Sequence, residues 1–260
     1  MEFVDTHFHG GEYLKDYAEY CREAADEGVR KLVLCSGSLE ESLCAADCAE
    51  ENDAIYFAAG VHPHEAGAMC VDAAAFRIFA ERRKFVAVGE IGLDFYYDTS
   101  ERSVQQEVFA SFLDLALELN VPALIHCRDK DDSFDAYDRT LELLTPFHAK
   151  GGRSLLHCFA GTRAYAEKFM ELGALFGVGG MLTFKMADNI RDVISAIPAE
   201  HLVLETDAPY LAPVPFRGKP NHSRYIPLIA RKLAWLKGIS LEECAEITTR
   251  NASDFFHFQE

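Results

Sequence analysis

The sequence predicts an α/β fold, a (β/α)8 barrel of the TIM type with a metal site at the carboxyl ends of its strands, and three observations predict it. Eight short apolar runs alternate with stretches of helical spacing along 260 residues. Histidines and carboxylates recur where the runs end. No Gly-x-Gly-x-x-Gly follows the first run, which disfavours the alternative of an open, doubly wound sheet.

In chain order the strands are expected at Glu2 to Asp5, Lys31 to Cys35, Ile55 to Gly60, Phe85 to Glu90, Val121 to His126, Ser154 to Cys158, Ala174 to Val178 and His201 to Glu205. Helical spacing lies between them. Glu101 to Leu119 repeats apolar Val104, Val108, Phe112, Leu115 and Leu119, and Ala164 to Leu172 repeats Ala166, Phe169 and Met170. A last helix follows Ser240, where Ser240-Leu241-Glu242-Glu243 fits a capping box.

Composition fits one domain over residues 1–260, because a chain 49% hydrophobic and 26% charged can bury a core of barrel size. No Pro/Ser-rich tether, low-complexity tract or short repeat divides it. The start carries no basic and apolar leader, and no apolar stretch is long enough to span a bilayer, so a cytoplasmic location without membrane contact is expected. The eight cysteines include no Cys-x-x-Cys pair, and a chain this long needs no disulfide staples. Cys127 and Cys158 each follow a histidine and are expected on the opposite strand face as packing residues.

His7 and His9 lie two apart, and strand side chains two apart share a face, so both imidazoles can reach one ion. Glu90, His126, His157, Glu205 and Asp207 fall at the ends of the fourth, fifth, sixth and eighth strands. A lone histidine at a strand end is ordinarily a hydrogen-bonded packing residue, and a lone carboxylate is ordinarily solvated. Such residues on five strands, brought to one barrel face, are not explained that way.

Ordered motifs then carry a resemblance over essentially the whole chain. They are Asp5-Thr6-His7-Phe8-His9, Gly60-Val61-His62-Pro63-His64, Gly89-Glu90-Ile91-Gly92-Leu93-Asp94-Phe95-Tyr96-Tyr97, Ile125-His126-Cys127-Arg128, Leu156-His157-Cys158-Phe159-Ala160-Gly161, Thr183-Phe184-Lys185 and Leu204-Glu205-Thr206-Asp207-Ala208-Pro209-Tyr210-Leu211. With these the sequence resembles the TatD family of metal-dependent hydrolases, described as deoxyribonucleases, within the amidohydrolase-like barrel superfamily. The resemblance implies that His7, His9, Glu90 and Asp207 hold one divalent cation and that Glu90, His126 and His157 hold a second, with Glu90 bridging.

Such a mixed nitrogen and oxygen set tolerates Zn, Mn, Fe or Ni, and the family's activity is often described as Mg-dependent. Two cations would generate hydroxide and stabilise developing charge on a scissile phosphate or carbonyl. Asp207 is the candidate for positioning that water, Glu90 for bridging, and Glu205 either for direct catalysis or for orienting a ligand histidine. The resemblance places His62 toward substrate and leaves His64 to the surface. Arg128, Lys185, Arg217, Lys219 and Arg224 are candidate phosphate contacts. Phe95, Tyr96, Tyr97, Phe184 and Tyr210 could stack on bases or form lids. Asp94 could cap its loop or bind a further cation.

The net charge of −17 weighs against binding a long duplex by phosphate neutralisation and leaves strand ends or short single strands. Three departures from the family pattern fall in substrate-facing loops: Gly10-Gly11-Glu12, Ala160 and Ser223. Asn221-His222-Ser223 and Asn251-Ala252-Ser253 match glycosylation sequons by chance. The sequence therefore predicts a cytoplasmic two-metal deoxyribonuclease acting on DNA ends or single strands, with no obligate protein partner. The alternatives are hydrolysis of an ester, lactone, amide or aminoacyl-tRNA ester, and a metal-binding module without activity.

Overall fold

A computed structural model describes residues 1–11, 14–68 and 71–258; Glu12 and Cys70 lie outside the described residues. Eight parallel strands form one sheet in sequence order: β1 (Phe3–His9), β2 (Val29–Cys35), β3 (Ile55–Ala59), β4 (Phe85–Asp94), β5 (Ala123–Arg128), β6 (Ser154–Leu156), β7 (Leu175–Val178) and β8 (Leu202–Leu204). A single bridge between Phe8 and Ala208, just beyond β8, brings the last strand round to the first. The helices are α1 (Tyr17–Asp26), α2 (Leu39–Glu51), α3 (Arg102–Leu119), α4 (Asp135–Ala149), α5 (Arg163–Glu171), α6 (Asp188–Ala196), α7 (Ile226–Lys237) and α8 (Leu241–Phe256). No helix among the described residues is long and apolar enough to cross a membrane.

The period of two along each strand sorts side chains into two cores. Leu32 and Leu34 of β2, Ile55 and Phe57 of β3, and Leu202 and Leu204 of β8 face outward onto the helices, where Phe109, Phe112 and Phe169 meet them. Val33, Tyr56, Leu124, Leu155 and Val203 face inward, and Phe255 and Phe256 of α8 plug that end of the barrel. Each fully buried phenylalanine stabilises the fold by about 1.5–3 kcal/mol, which far exceeds any surface ion pair. The N-cap half of the capping box forms: the Ser240 side chain accepts from the Glu243 N–H.

Three expectations are corrected. Strict alternation fails after β3, where two 3-10 segments, Pro63–Glu65 and Ala73–Phe79, stand in place of an α-helix. The tighter winding aligns residues three apart, so Phe76 and Phe79 enter the core together. Strand ends also shift, since β1 and β4 run on through His9 and Asp94 while β6 and β8 stop at Leu156 and Leu204. His157, Glu205 and Asp207 thus stand just beyond their strands. Finally, α3 buries a wider face than the expected stripe: Phe112 and Leu115 of that stripe are buried with Gln105, Phe109, Leu113 and Ala116, while Val108 and Leu119 pack at its edge.

Two register shifts fall at the strand residues that matter for the mouth, between Asp5 and Phe8 in β1 and between Val88 and Ile91 in β4. Such irregularities re-aim a side chain. At Glu90 the backbone N–H leaves the ladder for Ser36 O, 2.9 Å away. Gly92 makes the continuation of β4 possible, because its φ is +141° and a Cβ there would lie 2.0 Å from His126 O.

Candidate metal centre

Glu90 stands at the centre of the barrel mouth, with its side chain only 3% exposed. Its two oxygens face different partners. Oε2 lies 3.2 Å from His7 Nε2 and 3.7 Å from His9 Nε2. Oε1 lies 2.8 Å from His126 Nδ1, 2.7 Å from His157 Nε2 and 3.6 Å from His62 Nε2. Asp207 Oδ1 completes the first side, 3.3 Å from His9 Nε2.

Nitrogens also face one another, His7 Nε2 to His9 Nε2 and His126 Nδ1 to His157 Nε2, each pair at 3.2 Å. Lone pairs and carboxylates converging in this way fit a divalent cation, and His7, His9 and Asp207, or His7, Glu90 and His157, are close enough to share one. The tautomers agree. The far ring nitrogen of His9, Nδ1, lies 3.3 Å from Cys35 O, which can only accept, so Nε2 is left with its lone pair. Nε2 of His126 meets Asp94 Oδ2 at 3.0 Å and leaves Nδ1 toward Glu90.

His62 is different. It could also share an ion with Glu90 and His126 by distance, but its Nδ1 accepts from the His64 backbone N–H at 3.1 Å. Its neutral ring therefore carries the proton on Nε2 and presents a donor to the mouth.

Burial opposes charge on every group in the cluster, and the neighbours decide the outcome. Burial and the nearby His157 push His7 down to about 4, and burial, only partly opposed by Glu90, pushes His62 down to about 3. At His9 burial is outweighed by the Asp207 hydrogen bond and the Glu90 charge, which push it up to about 9. Asp94 and Glu90 overcome burial in the same way at His126, also up to about 9. Burial would raise Glu90, but His157, His62 and His7 hold its carboxyl well below the usual range. Protons on His9 and His126 compete with any cation for the same nitrogens.

Glu205 does not join this cluster. It is fully buried, and Oε1 accepts from the Cys158 backbone N–H at 2.5 Å, so it fixes the turn that follows His157. Burial, then the Asp207 charge, raises its carboxyl well above the usual range. Gly177 makes room for it, since a Cβ there would lie 2.0 Å from Glu205 Oε2. Cys158 is not on a strand face as expected; it sits past β6 at a φ of +48°. Cys127 is buried against Thr140.

Other supports gave no signal in the sequence. Gln105 clamps Asp94, accepting from its N–H at 2.8 Å and donating to its carbonyl at 3.2 Å, while Asp94 Oδ1 accepts from the N–H groups of Tyr96 and Tyr97. His64 Nε2 lies 3.2 Å from Asp94 Oδ2, out of hydrogen-bond alignment. Asp5, buried beneath the cluster, accepts from the Thr206 N–H and hydroxyl at 2.9 and 2.6 Å and from the Ser223 hydroxyl at 2.6 Å. Ser223, expected in a substrate-facing loop, is instead buried as a hydrogen-bond partner of Asp5.

Among the candidate substrate contacts, Arg128 is exposed at the end of β5, over the rings of Tyr96 and Tyr97 at 4.3 and 4.9 Å. Lys185 is exposed after β7, and Arg217 lies over Phe184 at 3.9 Å. Arg224 is committed to Glu23 at 3.0 Å, and Phe95 is buried under Arg102.

Asp94→Asn is expected to weaken divalent-cation binding by about 10- to 100-fold, because an amide no longer secures the His126 tautomer. Titration of the purified variant with Mn or Zn, read by calorimetry, checks this; unchanged affinity would show that Asp94 only caps its loop.

An eight-stranded parallel barrel with imidazoles and carboxylates gathered at its carboxyl mouth defines a metal-dependent barrel hydrolase. The chain belongs to the TatD family, whose sequence profile, described as TatD related DNase, matches residues 4–257. It is 36% identical over 255 residues to the uncharacterized metal-dependent hydrolase YabD of Bacillus subtilis (strain 168), covering 97% of this chain and 98% of that one. It is 34% identical over 260 residues to the 3'-5' ssDNA/RNA exonuclease TatD of Klebsiella pneumoniae (strain 342), covering 97% and 96%. The crystal structure of YJJV, a TatD homologue from Escherichia coli K12, matches with a TM-score of 0.90 at 30% identity, covering 99% and 98%.

Proposed function

We propose that this metal-dependent hydrolase is a deoxyribonuclease that removes nucleotides from DNA ends or single strands, using two divalent cations bridged by Glu90. One observation supports the reading above others: the two oxygens of one buried carboxylate each face a separate group of imidazoles. His7, His9, Glu90 and Asp207 would hold one cation, and Glu90, His126 and His157 the other. When bound, the cations supply an acidified water and a Lewis acid for the scissile bond, whichever of Zn, Mn, Mg, Ni or Fe is used.

The chain's own residues do the rest. Asp207, with its side chain 14% exposed at the rim of the cluster, orients the attacking water and receives its proton. Burial opposes its charge, but the His9 hydrogen bond and charge keep its carboxyl below the usual range, so it is ionised. His62 donates its Nε2 proton as a hydrogen bond to a non-bridging phosphate oxygen, while Arg128 and Lys185 receive the neighbouring phosphates. Glu205 acts by holding the turn after His157. A cytoplasmic location belongs to the same proposal.

Chelation followed by readdition of divalent ions should abolish and then restore release of mononucleotides from end-labelled single-stranded DNA. A panel of ester, lactone and amide substrates run beside it decides between bond classes. Full activity with metal removal verified would overturn the mechanism, and turnover confined to the carbonyl panel would overturn the substrate.

A further inference from the structure

Large aromatic side chains are ordinarily buried, yet three tyrosines stand exposed at the mouth: Tyr96 at 41%, Tyr97 at 56% and Tyr210 at 53%. They occupy opposite sides. Tyr96 and Tyr97 follow β4, and Tyr210 follows β8; in a closed ring of eight strands in sequence order these positions face each other across the centre. Each side reaches the catalytic cluster through a ring contact. Tyr97 meets His64 edge-on with centroids 5.4 Å apart, and Tyr210 meets His9 at 6.1 Å.

Both sides also carry a guanidinium laid on an aromatic face. Arg128 covers Tyr96 and Tyr97, and Arg217 lies over Phe184 beside the Tyr210 segment, where the Val214 N–H bonds Thr183 Oγ1 at 2.9 Å and joins the two loops. Neither arginine is in an ion pair among the described residues, whereas Arg77, Arg82 and Arg102 are. Stacked guanidiniums offer a flat face to a base and a fork to a phosphate.

Net charge sharpens the argument. A body carrying −17 gains little from long-range attraction to phosphates, so binding must draw on stacking, which needs bases that are not already paired. We propose that Tyr97 with Arg128 on one rim, and Tyr210 with the Arg217–Phe184 pair on the other, are two stacking platforms. They hold the bases on either side of the scissile phosphodiester, so the unit recognised is a pair of unstacked nucleotides. The proposal rests on the nucleic-acid reading above.

The test uses a single-stranded 12-mer and matched oligonucleotides with an abasic residue on the 5' or the 3' side of the cleaved bond. Tyr97→Ala and Tyr210→Ala should each lower kcat/KM on the 12-mer by about tenfold, mainly through KM, while Tyr97→Phe and Tyr210→Phe retain most of it. Wild-type enzyme should lose a similar factor on each abasic substrate, and the matching alanine variant should lose no more on that substrate. Arg128→Lys, which keeps charge but loses the plane, should behave like Tyr97→Ala.

Alanine variants within twofold of wild type on the 12-mer, or abasic substrates cleaved as fast as intact ones, overturn the platforms. If the alanine variants fail to fold, the abasic comparison on wild-type enzyme alone still decides. Wild-type enzyme that leaves the intact 12-mer untouched, with Mg, Mn and Zn each supplied, overturns the nucleic-acid reading itself.

Discussion

Glu90→Gln should lower kcat/KM on single-stranded DNA by on the order of 10³-fold or more, the scale of losing the charge that stabilises the reacting centre. Both oxygens of Glu90 are engaged, Oε2 toward His7 and His9 and Oε1 toward His126, His157 and His62. An amide keeps the shape but offers one acceptor and one donor in place of two acceptors, so one side of the cluster meets N–H groups where it needs a lone pair. Arg128→Ala, by contrast, removes one exposed cation whose role neighbours share, and should cost about tenfold. Initial rates and metal content on the same preparations check the pair. Equal losses in the two variants would argue against a bridging carboxylate.

The second large effect is expected at Asp207. Its φ is +56°, a left-handed conformation that asparagine accepts as readily as aspartate, so Asp207→Asn keeps the backbone as well as the volume. What it loses is the negative charge beside His9 and the proton acceptor. The variant should fold with little change in melting temperature and retain much of its metal through Glu90, His126 and His157. Its activity should fall by a factor on the order of 10² or more. Metal content, melting temperature and DNA hydrolysis measured together separate a lost base from a lost ion. Near-normal turnover with metal bound would remove Asp207 from proton transfer.

Much of this was legible because strand order alone decides what a barrel mouth collects. Eight apolar runs located eight strands, and their ends put His7, His9, Glu90, His126 and His157 in one place before any distance was known. Hydrophobic spacing could not show the 3-10 segments after β3, since phenylalanines at 76 and 79 satisfy a loose helical pattern as well as a tight one. Nor could it show the register shift that turns Glu90 inward, because register belongs to a pair of strands. Glu205 read equally as a catalytic group or as one that orients a ligand histidine. The end of β8 at Leu204 and the left-handed turn at Asp207 send it instead to the Cys158 backbone. The donor role of His62 depends on a hydrogen bond from the His64 N–H, and that of Gln105 on a polar side chain buried against Asp94; neither leaves a trace in composition or spacing.

The join between the last and first strands is the thinnest in the sheet: one bridge at Phe8 and Ala208, backed by the Asp5 carboxylate holding Thr206 some 201 residues away. His7 and His9 stand on one lip of that seam and Asp207 on the other. Whatever binds among them fastens the two ends of the chain. Closing the ring and loading the site are therefore linked equilibria, and each must favour the other by the same free energy.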